Sequence, residues 1–491
     1  MRDETQGLPR GWGEIIPEKE SQWGPSLVGE APAGTPVSLP TDAPEAFHLN
    51  GQGSSFPLKK VFIILLVVIL VGAFGFLGYK FLYPQVMKMQ KQGQKVTLTY
   101  WGLWETPEAF NEILADWDKT HPNIKINYTN QSPKEYRERL QSALARGDGP
   151  DLFRMHATWL PMLKNDLEPV PAQVLSPSTL DSSYYPVVKS SLVLGDKIMG
   201  IPLMMDTLAL FYNEDIFKLA GKTPPTTWEE LRQTACDLTV TDPDNGSIQT
   251  AGVALGSTTN VDHWSDILGL TLLQNNADLG KPTDKVAQDA VTWFNLFQTN
   301  AACQDKHVWD ATLPNSTMAF ATGKAAMFFG YSWDVFEIKA INPQLNFKIV
   351  ATPRLADENL AWASFWAEGV AKNSKNKDAA WEFMKYLSSK ETMEKYYQAQ
   401  SKVRLFGEIY PRSDMAASLT TNELIAPFVE QAARAKTWYL CSRTFDNGIN
   451  DRIIKYYEDA LNSASLGKAL PEALQTTATG VGQLLTQYGA R

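Results

Sequence analysis

Trp101, Gly102 and Trp104 follow one expected strand, and His156 and Trp159 follow another. Indoles offer flat apolar faces, and imidazole offers a hydrogen-bond donor. Groups of this kind grip a ligand, and none of the common catalytic motifs accompanies them. The five histidines, at 48, 121, 156, 263 and 307, include no close pair, so no helical two-histidine metal motif is present. Three cysteines exclude a disulfide-dense scaffold and a four-cysteine zinc site. Gly330-Tyr331-Ser332-Trp333-Asp334 lacks the final glycine of a nucleophile elbow. Gly323-Lys324-Ala325 lacks both the upstream glycine and the hydroxyl residue of a phosphate loop. Asp242-Pro243-Asp244-Asn245-Gly246 does not space its acids as a calcium loop does and reads as a tight turn. A formal charge of −9 argues against nucleic-acid binding.

The elements that would position these residues alternate between strand and helix. Val96, Leu98 and Tyr100 alternate with threonines and predict a strand. Thr106-Pro107-Glu108 then predicts a helix start, with Phe110, Ile113, Leu114 and Trp117 on one face. Ile124, Ile126 and Tyr128 alternate again. Ser132-Pro133-Lys134-Glu135 reads as a capping box before a helix carrying Tyr136, Leu140 and Leu144, stopped at Gly147. A third strand restarts at Pro150-Asp151-Leu152-Phe153. Strand–helix–strand order implies right-handed crossovers and a largely parallel sheet, with ligands beyond the carboxyl ends of its strands. A second region of the same type begins near Ala209, with a capping box at Thr227-Trp228-Glu229-Glu230. Ala380, Phe383, Met384 and Leu387 predict one more amphipathic helix. The 491 residues exceed a single ordinary core, and two lobes are expected.

Ahead of this α/β region the composition differs. Residues 1–60 hold 8 Gly and 8 Pro, too few apolar groups to offset chain entropy, so 1–58 is expected to be a disordered tail. Nineteen uncharged residues between Lys60 and Lys80 match the thickness of a bilayer core, and 59–80 is expected to be a transmembrane helix whose residues 61–79 meet lipid. No small-residue cleavage site or lipid-accepting cysteine follows it. Lysines flank both sides, so charge does not set its orientation. Residues 81–95 read as a juxtamembrane linker.

From Val96 to the C-terminus the chain resembles the extracellular solute-binding proteins of ABC importers, family 1, the maltose-binding-protein-like group. The resemblance is carried, in order, by Val96–Trp104, by Leu144–Asp151, and by Gly200-Ile201-Pro202 with Asp206, Leu210 and Tyr212-Asn213. It continues through Pro224–Leu231, Phe320–Met327 with Gly330 and Trp333, and Asn376–Leu387. It implies a two-lobe periplasmic-binding-protein-like α/β fold of type II. The lobes would be 96–206 with 354–412, and 207–353 with 413–491. Hinge crossings would fall near Met205–Leu208, Ala351–Arg354 and Pro411–Asp414. It also implies an interlobe cleft that closes on its ligand, no enzymatic activity, no cofactor or metal, a monomer, and a permease as partner. The membrane helix departs from the family's periplasmic or lipid-anchored pattern. The large domain would stand outside the cytoplasm.

A sugar presents apolar ring faces and equatorial hydroxyls, so its site needs aromatic platforms and planar hydrogen-bonding groups. Among 15 tryptophans, Trp117, Trp228, Trp293 and Trp381 fall on predicted helices as core or cap residues. Trp101, Trp104, Trp159, Trp264, Trp333, Trp366 and Trp438 fall in loops or on blocks bordering the family's cleft. These residues, with His156, Asp206 and Glu368, are the expected contacts for a sugar or oligosaccharide. Cys303 and Cys441 are expected to pair, leaving Cys236 as a buried thiol. Beside a different ligand such as a polyamine, peptide or metal complex, disfavoured because only Asp206 and Glu368 offer acids for a cation, two rival readings remain open. One is a glycan-acting enzyme, which would need two carboxylates spaced across the substrate. The other is a tethered sensor signalling through residues 1–60.

Overall fold

A computed structural model describes residues 58–83, 95–105, 107–303, 306–355 and 357–490. The tail reading for residues 1–57, the linker at 84–94 and the helix cap at Thr106 lie outside the described residues. Contacts divide the chain into two units, 1–81 and 82–491. In the first, an α-helix at Leu58–Leu77 continues as a π-helical turn at Gly78–Leu82. The stretch Phe62–Phe81 is long and apolar enough to cross a membrane, and none of it is buried in protein.

Among the described residues the second unit holds three sheets of three or more strands and two two-stranded ones, Val240–Thr241 with Ile248–Thr250 and Val193–Leu194 with Lys197–Ile198. In the first, strands Ile124–Asn130, Val96–Gly102 and Leu152–His156 run parallel. Trp366–Ala371 lies antiparallel to Leu152–His156 and also pairs with Leu167–Glu168 and Ile201–Pro202. The helix Pro107–Thr120 buries Phe110, Ile113 and Trp117, as its apolar spacing dictates. Tyr136–Arg146 buries Tyr136, Leu140 and Leu144 and ends at Gly147, whose φ of 80° suits a residue without Cβ. Lys377–Leu387 buries the expected Ala380, Phe383, Met384 and Leu387.

The second region is not a repeat of the first. Ala209–Asn213 is the middle strand of a three-stranded sheet, antiparallel to both Met327–Gly330 and Phe347–Val350. Its helices lie in the long excursion between Asn213 and Met327 and, as Asp334–Ile341, between Met327–Gly330 and Phe347–Val350, rather than in crossovers between parallel neighbours. The capping box at Thr227 forms as expected, with Glu230 N–H donating to Thr227 and the Glu230 carboxylate accepting from Thr227 N–H. The box expected at Ser132–Glu135 does not form. Glu135 itself precedes the helix in a left-handed conformation (φ 56°) and makes no side-chain cap. Asp242–Gly246 is the expected turn, closed by Gly246 N–H donating to Asp242 O at 2.8 Å.

A third sheet joins Asp206–Thr207, Ala361–Ser364 and Ala435–Lys436. The chain passes from Ile201–Pro202 of the first sheet through Asp206–Thr207 into Ala209–Asn213 of the second. It returns from Phe347–Val350 through Ala361–Ser364 into Trp366–Ala371. These short strands are where the chain moves between the two large sheets.

The disulfide links Cys236 and Cys303, with Cα atoms 5.4 Å apart, and Cys441 is a free, buried thiol. This corrects the expected Cys303–Cys441 pairing. Cys236 lies on the helix Trp228–Leu238, against the turn ending at Cys303. Cys441 is fully buried elsewhere, with its sulfur near Ala363 O and Thr437.

Candidate functional site

The first sheet gathers aromatic rings at the carboxyl edge of its parallel strands. Trp366 opens an antiparallel strand in register with His156, so its amino end meets the carboxyl end of Leu152–His156. Half-buried Trp366 stands edge-on to Trp104 (5.9 Å between centroids), Trp159 (5.2 Å) and His156 (5.1 Å). Trp104 is 46% exposed and sits at a φ of 74°. Trp159, with no exposed surface, and His156 form the floor beneath the rings. Burial lowers the His156 pKa to about 3, leaving a neutral ring. Its Nδ1 lies 2.7 Å from Thr158 Oγ1 and its Nε2 3.1 Å from Ser364 Oγ.

The turn that presents Trp104 is fastened by buried Arg154, which donates to Leu103 O at 2.8 Å and pairs with Glu105. Arg154 Nε also donates to Glu368 Oε1 at 2.7 Å, across the register of the two strands. Burial raises the carboxyl pKa values of Glu105 and Glu368, and the Arg154 charge opposes that rise. The Glu368 carboxylate is therefore committed to Arg154 in the interior and does not reach the surface. Trp101, half-buried, lines an open groove of about 520 Å³ with Glu135, Glu138, Arg139 and Asn447.

A second wall surrounds Trp333. This indole stacks on Tyr331, with centroids 4.2 Å apart and ring planes inclined by 15°. Tyr331 OH and Trp362 Nε1 both donate to Asp266 Oδ1 at 2.8 Å. His263 Nε2 lies 2.9 Å from Asp334 Oδ2, and its Nδ1 lies 3.0 Å from Ser442 Oγ. Ser442 N–H donates to Asp266, and Arg443 pairs with Asp262 at 3.3 Å. The wall thus stands on buried hydrogen bonds joining four separate segments, around Asp266, Tyr331, Trp362 and Ser442. Trp264 differs from expectation: it is the first residue of the helix Trp264–Gln274, not a loop residue, and only 9% of it is exposed. Trp438 is half-buried after the strand Ala435–Lys436 and packs on Tyr439.

Asp206, in the connecting strand, bridges to the second wall. Ser332 N–H donates to Asp206 Oδ2 at 2.9 Å and Thr207 N–H to Oδ1 at 2.8 Å. Burial lifts its pKa to about 8, with those hydrogen bonds opposing the rise.

The fold therefore brings Trp104, His156, Trp159 and Trp366 together, and Trp101 lies on the same strand edge. Trp333 and Asp206 meet at Ser332, while Trp264 and Trp438 make no ring contact with either cluster. Phe445 escaped the sequence reading. It is 43% exposed and lies 6.3 Å from Trp104. The turn-forming run Asp446-Asn447-Gly448 was the available signal for its loop. Among the described residues, no group of three or more His, Cys, Asp or Glu could hold a metal ion. Exposed rings beside hydrogen-bonding groups suit a ligand with apolar faces and hydroxyls.

The family model described as bacterial extracellular solute-binding protein matches residues 104–394, and this chain belongs to that family. A multiple sugar-binding protein of Streptococcus mutans is 23% identical over 347 residues, covering 67% of this chain and 80% of the relative. A putative binding protein of Brucella abortus is 22% identical over 298 residues, covering 60% and 72%. Among solved structures, the sugar-binding protein MalE of Xanthomonas citri is similar, with a TM-score of 0.64 and 22% identity over 80% of this chain and 98% of its own. A cyclo/maltodextrin-binding protein complexed with maltotetraose also gives 0.64, at 18% identity over 79% and 97%. The fold is thus the mixed α/β, periplasmic-binding-protein-like fold that the sequence resemblance implied.

Proposed function

We propose that this protein captures a sugar or oligosaccharide outside the cytoplasm and passes it, chemically unaltered, to the permease of an ABC importer. The observation that carries this reading is the aromatic cluster at the carboxyl edge of the first sheet, where exposed Trp104 and Phe445 meet half-buried Trp366. The sugar-binding relatives support the same ligand class. Trp333 and Asp206 form the opposing side, joined to the first by the connecting strands. Closure about Met205–Leu208, Ala351–Arg354 and Pro411–Asp414 follows if the ligand favours the closed form over the open one. The apolar helix serves as a single-pass anchor. The Cys236–Cys303 disulfide suits a domain on the oxidising side of the membrane.

Native mass spectrometry of the full chain, purified without glycoside detergent, tests this. A carbohydrate of unaltered structure should co-purify or bind on addition. Cleavage of added oligosaccharide would replace the reading with the enzymatic one.

A further inference from the structure

Trp104 and Phe445 share an unusual pair of properties. Each leaves much of its ring exposed, 46% and 43%, and each occupies left-handed backbone, with φ values of 74° and 53°. A bulky residue with a Cβ is disfavoured there, and such strain persists where surrounding structure enforces it, often at ligand clamps. The Phe445 segment alternates such positions: Arg443 at 55°, Phe445 at 53° and Asn447 at 45°. Its enforcement is visible. The Asp446 carboxylate accepts from the N–H groups of Gly448 (2.9 Å), Asn450 (3.0 Å) and Asp451 (3.1 Å). Asn447 N–H donates to Asp451 at 2.7 Å, and Arg137, on the helix Tyr136–Arg146, donates to Asp446 O. One segment therefore does two things. It sets Phe445 against Trp104, and it places Asn447 on the 520 Å³ groove beside Trp101, Glu135, Glu138 and Arg139.

We infer that residues 443–447 form a ligand-gripping wall that makes the site long, so that the cargo is an oligosaccharide rather than a single sugar. One ring of the cargo packs at Phe445 and Trp104. The next units run into the groove, where Trp101 gives an apolar face and Glu138, Arg139 and Asn447 give acceptors and donors for hydroxyls. Its size falls within the range of small-molecule sites, which run from about 300 to 1,000 Å³. This inference rests on the carbohydrate reading above.

The test uses the full chain in lipid nanodiscs and calorimetric titration with glucose, maltose, maltotriose and maltotetraose, and with mannose, mannobiose and mannotriose. Affinity should climb from one unit to three in at least one series. Phe445→Gly should raise Tm, because glycine relieves the left-handed strain, while weakening trisaccharide binding by about tenfold through loss of the ring face. Ser142→Trp, which fills the groove from an exposed helix position, should weaken three-unit sugars more than two-unit sugars. Equal affinities for one-, two- and three-unit sugars overturn the inference and leave the carbohydrate reading standing. So does wild-type trisaccharide affinity in both variants. No binding of any of these sugars to the unmodified chain overturns both.

Discussion

The wall around Trp104 and Trp366 and the wall around Trp333 present the same kind of ring, yet they stand on different foundations. Beneath the first lie other rings and one buried cation, Arg154, shared by Glu105 and Glu368. Beneath the second lies a hydrogen-bond network, in which Asp266 collects Tyr331, Trp362 and Ser442, and His263 joins Asp334 to Ser442. Ring-on-ring packing tolerates sliding, whereas a buried polar network fixes a unique arrangement if every member is satisfied. The first wall rests on packed rings and one clamped charge; the second is held by many directional bonds, with Asp334 Oδ1 the member left without one.

The sharpest way to break this contrast is at the clamp. Arg154→Ala should destabilise the protein by about 3–5 kcal/mol in denaturant unfolding, because two carboxylates lose their buried partner. A loss under about 1 kcal/mol would mean Glu105 and Glu368 simply take up protons, and the cation is no clamp. Next comes the second foundation. Asp266→Asn keeps one acceptor but loses the charge that strengthens bonds from Tyr331 and Trp362, and about 1–3 kcal/mol of stability should go with it. Intact near-ultraviolet circular dichroism with unchanged stability would show that the Trp333 wall does not depend on this network.

At the surface, Trp366→Ala and Trp333→Ala should each weaken sugar binding by about 1–3 kcal/mol, the scale of one large apolar group. Unchanged affinity in both would remove the two-walled site.

The smallest effects are in pH dependence. Asp206, lifted to about 8, binds more protons folded than unfolded, so its contribution to stability fades as pH rises from about 4 to 8. His156, held near 3, does the reverse, and its contribution fades as pH falls from about 6.5 to 3. Asp206→Asn should flatten the alkaline side of a Tm–pH curve and His156→Gln the acid side. If both curves superimpose on the unmodified one, neither group is buried as described.

Much of the scaffold was readable in one dimension because it rests on local periodicity. The stripes Phe110–Trp117 and Tyr136–Leu144 fix their helices, and the turn at Asp242–Gly246 follows from its residue types. The placement of Trp104, His156 and Trp366 at one edge followed from strand order together with family likeness. What resisted reading depends on contacts distant in sequence. Glu368 resembles a free carboxylate until Arg154 is seen opposite it in register. The disulfide partner of Cys303 depends on which helix packs on its turn. Trp264 looks like a loop residue because its helix buries almost every side chain and so shows no polar face. Phe445 needed backbone angles, which composition does not encode.

The Cys236–Cys303 bond is local to one stretch of the chain. Both sulfurs belong to the excursion between Asn213 and Met327, two ends that sit side by side in one sheet. The covalent ring thereby closed includes none of the short strands that carry the chain from sheet to sheet. Oxidation accordingly ties the helix Trp228–Leu238 to the turn at Cys303 and places no covalent restraint on the strands that connect the sheets.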